Sequence, residues 1–395
     1  MSNKLNMRLG ITSDCIHYRL KDGRVATMNH ILKRQLDALA AYFEEVIICC
    51  PFIEMPADVS YSIYENKKFH FIASPKVGGD SLKDKIELIK TIPAWIKLFG
   101  VINKNSDIVY QRFPNNLNIP GFFYFLFKRK KVFATFTGSW DKDPVSSFST
   151  RFQRFLLKSF FRGPVWVYTN KTSRTKRIIP GFSPSYSTEE WDEEIPCIEK
   201  RKTILLSGDS GKKLRMISVG TLCVRKNHSF ILNTCLYLRK ENIPFSLDIA
   251  GTGAKMEEYK NFIETHDLKD CVRLRGSLHS SELRALYREN DFVVQSPASE
   301  PYGKVPIEGY FHGLIPVLSS SSILANYITN GNRRGFTFDL SDEMSLFNVL
   351  RHCYFELTRE KRIEMITDGR AFVKNLTTDA WASEYVREIK SYYNI

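Results

Sequence analysis

At 395 residues the chain exceeds what one ordinary hydrophobic core accommodates, and two domains are the expected arrangement. Its 43% apolar and 25% charged residues fit a globular protein and exclude a disordered or fibrous chain. The formal net charge of +14 is concentrated: residues 121–180 hold thirteen Lys or Arg against two Asp, a net +11, which points to an anionic partner for the first half.

The first 180 residues alternate between the two apolar periods. Residues 9–12 predict a strand, and residues 25–43 a long helix with Ile31, Leu36, Leu39 and Ala40 on one face. Residues 46–50, 108–111, 131–135 and 165–169 predict further strands. Such alternation makes a parallel sheet covered by helices on both faces, an α/β fold. The loop 13–24 carries Gly23 just ahead of the predicted helix. Loops at the carboxyl ends of parallel strands line ligand clefts, which makes Gly23 a candidate contact.

Within the basic region, GFFYFLFKRKK (121–131) sets six apolar residues, five of them aromatic, against four consecutive bases. In STRFQRFLLKSFFRG, Arg151, Arg154, Lys158 and Arg162 recur at helical spacing beside Phe152, Phe155, Leu156 and Phe160. A basic stripe bordered by Phe and Leu suits an interfacial helix on anionic lipid, although an ordinary solvated amphipathic helix has the same pattern. No nucleic-acid-binding motif accompanies the charge, so nucleic acid is not expected as a partner.

From 181 to 213 the pattern lapses into Pro, Ser, Glu and charge (SPSYSTEEWDEEIP), the expected interdomain connection. Alternation then resumes, with strands predicted at 214–219, 245–250 and 272–274 and helices at 228–241, 256–266 and 282–289. After Thr377, Trp381, Tyr385, Ile389 and Tyr393 at fourfold spacing give a final helix one sticky face.

Residues 291–319, DFVVQSPASEPYGKVPIEGYFHGLIPVLS, form a strand–loop–helix–strand unit. The helix is predicted over 305–312, with Pro306 in its first turn and Gly313 ending it. Free amides at Gly303, Lys304 and Val305 at the positive end of that helix make a natural pyrophosphate site. Glu300 sits in the loop, and Glu308, one turn into the helix, is suited to accept both hydroxyls of a ribose. The arrangement points to a nucleoside diphosphate carrying a second group.

The run E-P-Y-G-K-V-P-I-E followed by G-L-I-P-V resembles the E-x7-E signature and G-x-P-V of the retaining, nucleotide-sugar-dependent glycosyltransferases of family 4, and the likeness extends over about residues 214–340. The resemblance implies the GT-B fold, two Rossmann-like domains with parallel sheets facing across a cleft. It would divide the chain into an acceptor-side domain at 1–205, a nucleotide-sugar-binding domain at 206–376 and a helix at 377–395 crossing back to the first. VGTLCVRKNH (219–228) is similar to the family's G-R-L-x-x-x-K-G: Lys226 matches the phosphate-binding lysine, Thr221 stands where arginine is usual, Asn227 replaces the second glycine, and Arg225 is placed to supply the missing charge. Gly251 falls in the I-A-G-x-G turn bordering the donor pocket, and the loop after Gly276 would contact the base. Thr137, in TFTGSWD, stands where the family often has an acceptor-side histidine.

On this resemblance the catalytic candidates are Glu300 and Lys226; the donor-binding candidates are Glu308, Gly303, Lys304, Val305, Arg225, Thr221, Gly251 and Gly23. The reaction would be a metal-independent, cofactor-free, retaining transfer from a UDP- or GDP-linked sugar to a lipid-linked or other saccharide acceptor, in surface polysaccharide or lipopolysaccharide assembly. A nucleotide-sugar epimerase of the same fold, or a non-catalytic nucleotide-sugar or membrane-surface binding protein, would share these features.

Other patterns carry less. Asp141-Lys142-Asp143 matches the metal-binding D-x-D of another glycosyltransferase fold and is read as a loop. The eight cysteines form no C-x-x-C pair and the eight histidines no H-x-x-x-H, so no metal is expected. Cys49-Cys50 within an apolar strand implies buried thiols in a reducing compartment. No apolar run approaches the ~20 residues that span a bilayer, and no signal segment is evident. The expected location is the cytoplasm, peripheral on the inner membrane face.

Overall fold

The computed structural model describes residues 4–55, 61–76, 82–140, 147–169, 175–208, 213–300, 303–322 and 324–395. The chain divides into two compact units, Met1–Ser185 with Thr378–Ile395, and Tyr186–Thr377.

The first unit is built on seven parallel strands in the spatial order Ile178–Pro180, Val165–Tyr168, Lys131–Ser139, Ile108–Phe113, Arg8–Thr12, Glu45–Ile53, Phe69–Ser74. Successive residues of Glu45–Ile53 alternate between two cores, as a strand buried on both faces requires. Val46, Ile48 and Cys50 meet the helix His30–Ala40 through Leu32, Leu36 and Leu39. Ile47 and Cys49 join the opposite core, with Trp95 and Phe99 of Leu82–Asn105, Phe122 and Phe125 of Asn118–Phe127, and Leu156 of Phe148–Ser159. All eight cysteines are free, and burial pushes the Cys49 thiol up to about 12.

The final helix, Thr378–Tyr393, belongs to this unit. Trp381, Tyr385 and Ile389 are buried, and the Tyr385 ring stacks on Trp166 at 3.6 Å between centroids. The Tyr393 hydroxyl donates to the Val132 carbonyl at 2.7 Å.

Three expectations change. Residues 25–43 are not one helix. Val25–Thr27 pairs antiparallel with His17–Arg19, and the helix begins at His30, where the Asn29 side chain accepts from the Leu32 amide. Gly23 therefore serves a hairpin turn, at φ 84°, rather than a helix start. The stretch 181–213 is not an irregular connection but contains the helix Thr188–Ser207, opened by a Ser187–Glu190 capping box and stopped by left-handed Gly208. That helix packs on the second unit, which moves the boundary from 205 to 185. Ile198 and Leu205 enter the second core, and Glu194, 1% exposed, binds Arg288 and His312. Burial opposes its charge, yet the His312 and Arg288 hydrogen bonds hold the Glu194 carboxyl down at about 2.

The basic helix is the third. Phe148–Ser159 turns Gln153, Arg154, Leu156 and Leu157 inward. Arg154 lies 5.8 Å from the Phe136 ring centroid, so it does not belong to the exposed stripe, and Leu156 is core. The outward face is Phe148, Arg151, Phe155 and Lys158. Among the described residues no helix is long and apolar enough to cross a membrane.

The second unit holds six parallel strands in the order Val272–Gly276, Phe245–Ala250, Leu214–Val219, Phe292–Gln295, Ile315–Ser319, Phe336–Phe338. The order reverses direction beside the first strand, Leu214–Val219, and a reversal of this kind opens a crevice at the carboxyl ends of the strands.

Candidate functional site

Two neighbouring strands of the second unit, Leu214–Val219 and Phe292–Gln295, deliver their following loops to one place. The first loop closes in a short 3-10 turn, Val224–Lys226, ended by left-handed Asn227. The second is tied to it: the Ala298 amide donates to the Arg225 carbonyl at 2.9 Å and the Ser296 hydroxyl to the Asn227 carbonyl at 2.7 Å. These cross-links carry Lys226 and Glu300 together across 74 residues of sequence.

The Lys226 ammonium donates to Glu300 Oε2, and both side chains are largely withdrawn from water, 14% and 18% exposed. Arg225 Nη1 reaches the Ser299 carbonyl at 3.1 Å and Glu300 Oε2 at 3.5 Å. The Glu300 backbone forms an isolated parallel bridge with Ser322, in the loop after Ile315–Ser319. The Glu300 backbone is thus held by one loop and its carboxylate by the other.

Behind Glu300 the helix Lys304–Phe311 begins, capped by Gly303 at φ 72° and ψ 71°. A side chain is strained in that left-handed region, and glycine is not. The amides of a helix's first turn have no partner within the helix, and Pro306 at the third position has none to satisfy. Lys226, Glu300, Gly303, Lys304 and Val305 all line one crevice there, together with Gln295, Leu318 and Ser322. Glu308 lies four residues along the helix, about 6 Å of axial rise from Lys304. Its Oε2 accepts from the Tyr287 hydroxyl at 3.0 Å. Burial first, and then the Glu308 carboxylate, push the Tyr287 phenol far above its ordinary range, so it remains a donor.

The loop bearing Lys226 is backed by the loop after Phe245–Ala250. Gly220 donates to the Ala250 carbonyl and Leu222 to the Thr252 carbonyl, each at 2.9 Å. Gly251, at φ 140°, sits so close that a Cβ would meet the Gly220 carbonyl oxygen at 2.0 Å. Gly251 thereby sets the position of the lysine loop. Thr221 is an exposed residue of that same loop. Gly23 and Thr137 belong to the first unit, where Thr137 Oγ1 donates to the Phe113 carbonyl at 3.1 Å. Asp141 and Asp143 lie outside the described residues. Among the described residues no group of three or more His, Cys, Asp or Glu side chains converges as a metal site would.

Three participants escaped the sequence. Ser322 supports Glu300 from a run of four serines, a turn signal at the end of a parallel strand that could have drawn notice. Gln295 lines the crevice while donating to Ser218 Oγ at 3.1 Å, and Tyr287 holds Glu308 from a neighbouring helix. Neither of these carries a sequence mark.

Such a site concentrates cations and helix amides around one carboxylate, suited to an anionic leaving group beside a centre that gains positive charge. Two parallel-stranded α/β units of this kind are shared by solved glycosyltransferases. Anabaena Alr3699/HepE in complex with UDP and glucose superposes with a TM-score of 0.66 at 13% identity, over 98% of this chain and 100% of that one. WaaG, a glycosyltransferase involved in lipopolysaccharide biosynthesis, superposes with a TM-score of 0.59 at 15% identity, over 96% and 99%. The fold is therefore that of the GT-B glycosyltransferases. Residues 203–370, the stretch that carries Lys226, Glu300 and Glu308, match the family described as glycosyl transferases group 1. An alpha-monoglucosyldiacylglycerol synthase of Streptococcus pneumoniae (strain ATCC BAA-255 / R6) is 23% identical over 160 residues, 40% of this chain and 36% of the relative, so the match spans about a third of that relative's length.

Proposed function

We propose that the second unit binds a nucleotide sugar, UDP- or GDP-linked, and that the enzyme transfers the sugar with retention of anomeric configuration, without a metal, to a lipid-linked saccharide in surface polysaccharide or lipopolysaccharide assembly. The observation that carries this reading is the Lys226–Glu300 pair set at the amino end of the Gly303-capped helix. The group 1 match and the UDP-bound neighbour support it, and the glycolipid synthase and WaaG favour a lipid-borne acceptor.

In the step proposed, the bond from the sugar's anomeric carbon to the diphosphate oxygen breaks, and its electron pair leaves with the phosphate. Lys226, Arg225 and the helix amides at Gly303, Lys304 and Val305 neutralise that charge as it develops. Glu300 orients the sugar and supports the positive charge growing at its ring. The acceptor hydroxyl attacks from the face the diphosphate leaves and gives its proton to the departing phosphate oxygen. Glu308, freed from part of its bond to Tyr287, accepts the ribose hydroxyls, and Thr221 and Gly251 border the phosphates. Gly23 and Thr137 stand on the acceptor-side unit.

The exposed bases and phenylalanines among the described residues of 121–180 would keep the enzyme on the anionic inner face of the membrane, beside its acceptor. The test is nucleotide release from UDP- and GDP-sugars with and without membrane lipid extract. Acceptor-dependent release with a new glycolipid product is expected. Interconversion of the donor sugar in the absence of acceptor would instead make the enzyme an epimerase.

A further inference from the structure

The first unit contains a cavity of about 200 Å³ at the amino-terminal ends of the strands Lys131–Ser139 and Val165–Tyr168. Its walls are aromatic: Phe122 and Phe161, stacked with centroids 6.0 Å apart, face Phe125 and Tyr393. Three cations stand at the rim, Arg129 and Arg162 exposed and Lys131 half-buried. A fourth, Lys130, is engaged elsewhere, its ammonium donating to the Asn103 and Ser106 carbonyls. Among the described residues no carboxylate lines the cavity.

Inside is Gln111, fully buried, whose amide nitrogen and oxygen both have no hydrogen-bond partner among the described residues. A buried amide left unpaired on both sides is costly, and native proteins rarely keep one without reason. Gln111 stands opposite Ala134 in the sheet, three residues beyond Lys131, so it lies about 10 Å deeper than the rim. Around the mouth, phenylalanines are turned to solvent. Phe127 is 80% exposed beside the rim bases, and Phe160, 51% exposed, packs edge-on against Phe155.

We propose that this cavity receives the headgroup of an anionic bilayer phospholipid whose head carries free hydroxyls. The phosphodiester meets Arg129, Lys131 and Arg162 at the rim, and the hydroxyls reach inward to both atoms of the Gln111 amide. The acyl chains stay outside, among Phe127, Phe155 and Phe160. Polarity decides this orientation: the cations stand at the rim and the amide inside, while the exposed phenylalanines lie around the mouth. The proposal rests on the membrane reading above and adds a lipid preference that charge alone does not give.

The test is co-sedimentation with phosphatidylcholine vesicles carrying equal fractions of either phosphatidylglycerol or phosphatidylserine, which bear the same net charge. The parent protein should favour phosphatidylglycerol by about fivefold, the worth of one amide hydrogen bond. Gln111→Leu removes an amide that has no partner among the described residues, so the variant should melt no lower and bind both vesicles alike. Phe127→Ser should weaken both equally, leaving the preference intact. Equal binding of the parent to both vesicles, or an undiminished preference in Gln111→Leu, would overturn the headgroup site while leaving membrane association standing. Failure to bind either vesicle at low salt would end both. Tight calorimetric binding of free glycerol 3-phosphate without vesicle binding would overturn the lipid assignment.

Discussion

Replacing Glu300 with glutamine separates the charge of this residue from its shape. The side chain is 18% exposed, and one oxygen takes the Lys226 ammonium while lying 3.5 Å from Arg225 Nη1. A hydrogen bond between charged groups contributes roughly 1.5–3 kcal/mol, and partial exposure places this one near the lower figure. At ~1.5 kcal/mol, a unit of this size should melt about 3–6 °C lower without ligand. Saturating nucleoside diphosphate should recover much of that loss, since its phosphates become the partner of the freed Lys226. Turnover should respond differently. Glu300 is assigned to the charge developing at the sugar ring, so transfer should fall about a hundredfold, ~2.7 kcal/mol of transition-state stabilisation, while nucleotide affinity holds or rises. Lys226→Ala should damage both together, because the ground-state diphosphate already needs that cation. The assay is nucleotide release with acceptor lipid, beside calorimetry with the nucleotide alone. Transfer by Glu300→Gln within about threefold of the parent would refute the assigned role, as would an affinity loss matching the loss of transfer.

Glu308→Ala should weaken nucleotide binding by ~1.5–3 kcal/mol, the worth of hydrogen bonds to a charged acceptor, and an unchanged calorimetric affinity would remove Glu308 from the site. Gly251→Ala places a Cβ 2.0 Å from the Gly220 carbonyl oxygen at a φ of 140°, so it should displace the Lys226 loop, lower the melting temperature and cut turnover. A parent-like crystal structure of that variant would contradict this account. Burial pushes the imidazoles of His17 and His228 down to about 4, with the Lys226 charge adding to the effect at His228. Both are neutral in the fold, while the unfolded chain takes up their protons between pH 6.5 and about 4. Stability should therefore decline as pH falls through that window, by up to ~3 kcal/mol for each group, and level off below it. Urea titrations of the parent and of His228→Gln should show a smaller pH dependence in the variant.

Much of this was written locally. The alternation of apolar runs sufficed for two parallel-stranded units because each strand and helix declares its period within a few residues. The strand–loop–helix–strand unit around Glu300 and Glu308 was legible for the same reason: Pro306 and Gly313 mark both ends of its helix, and both carboxylates lie within nine residues. Elements too short to show a period were not legible. His17–Arg19 and Val25–Thr27 are three residues each and become strands only by pairing with one another. The helix Thr188–Ser207 carried its capping box in plain view, but its side of the domain boundary depended on Glu194 meeting Arg288 and His312, about a hundred residues away. Likewise, helical spacing grouped Arg154 with Arg151 and Lys158, whereas the packing of Phe136 drew it inward. The Lys226–Glu300 ion pair, and a Gln111 amide with no partner among the described residues, belong to the tertiary structure alone. Composition supplies the residue types, and only the folded sheet decides which side chains separated in sequence share a dielectric boundary, a partner, or none.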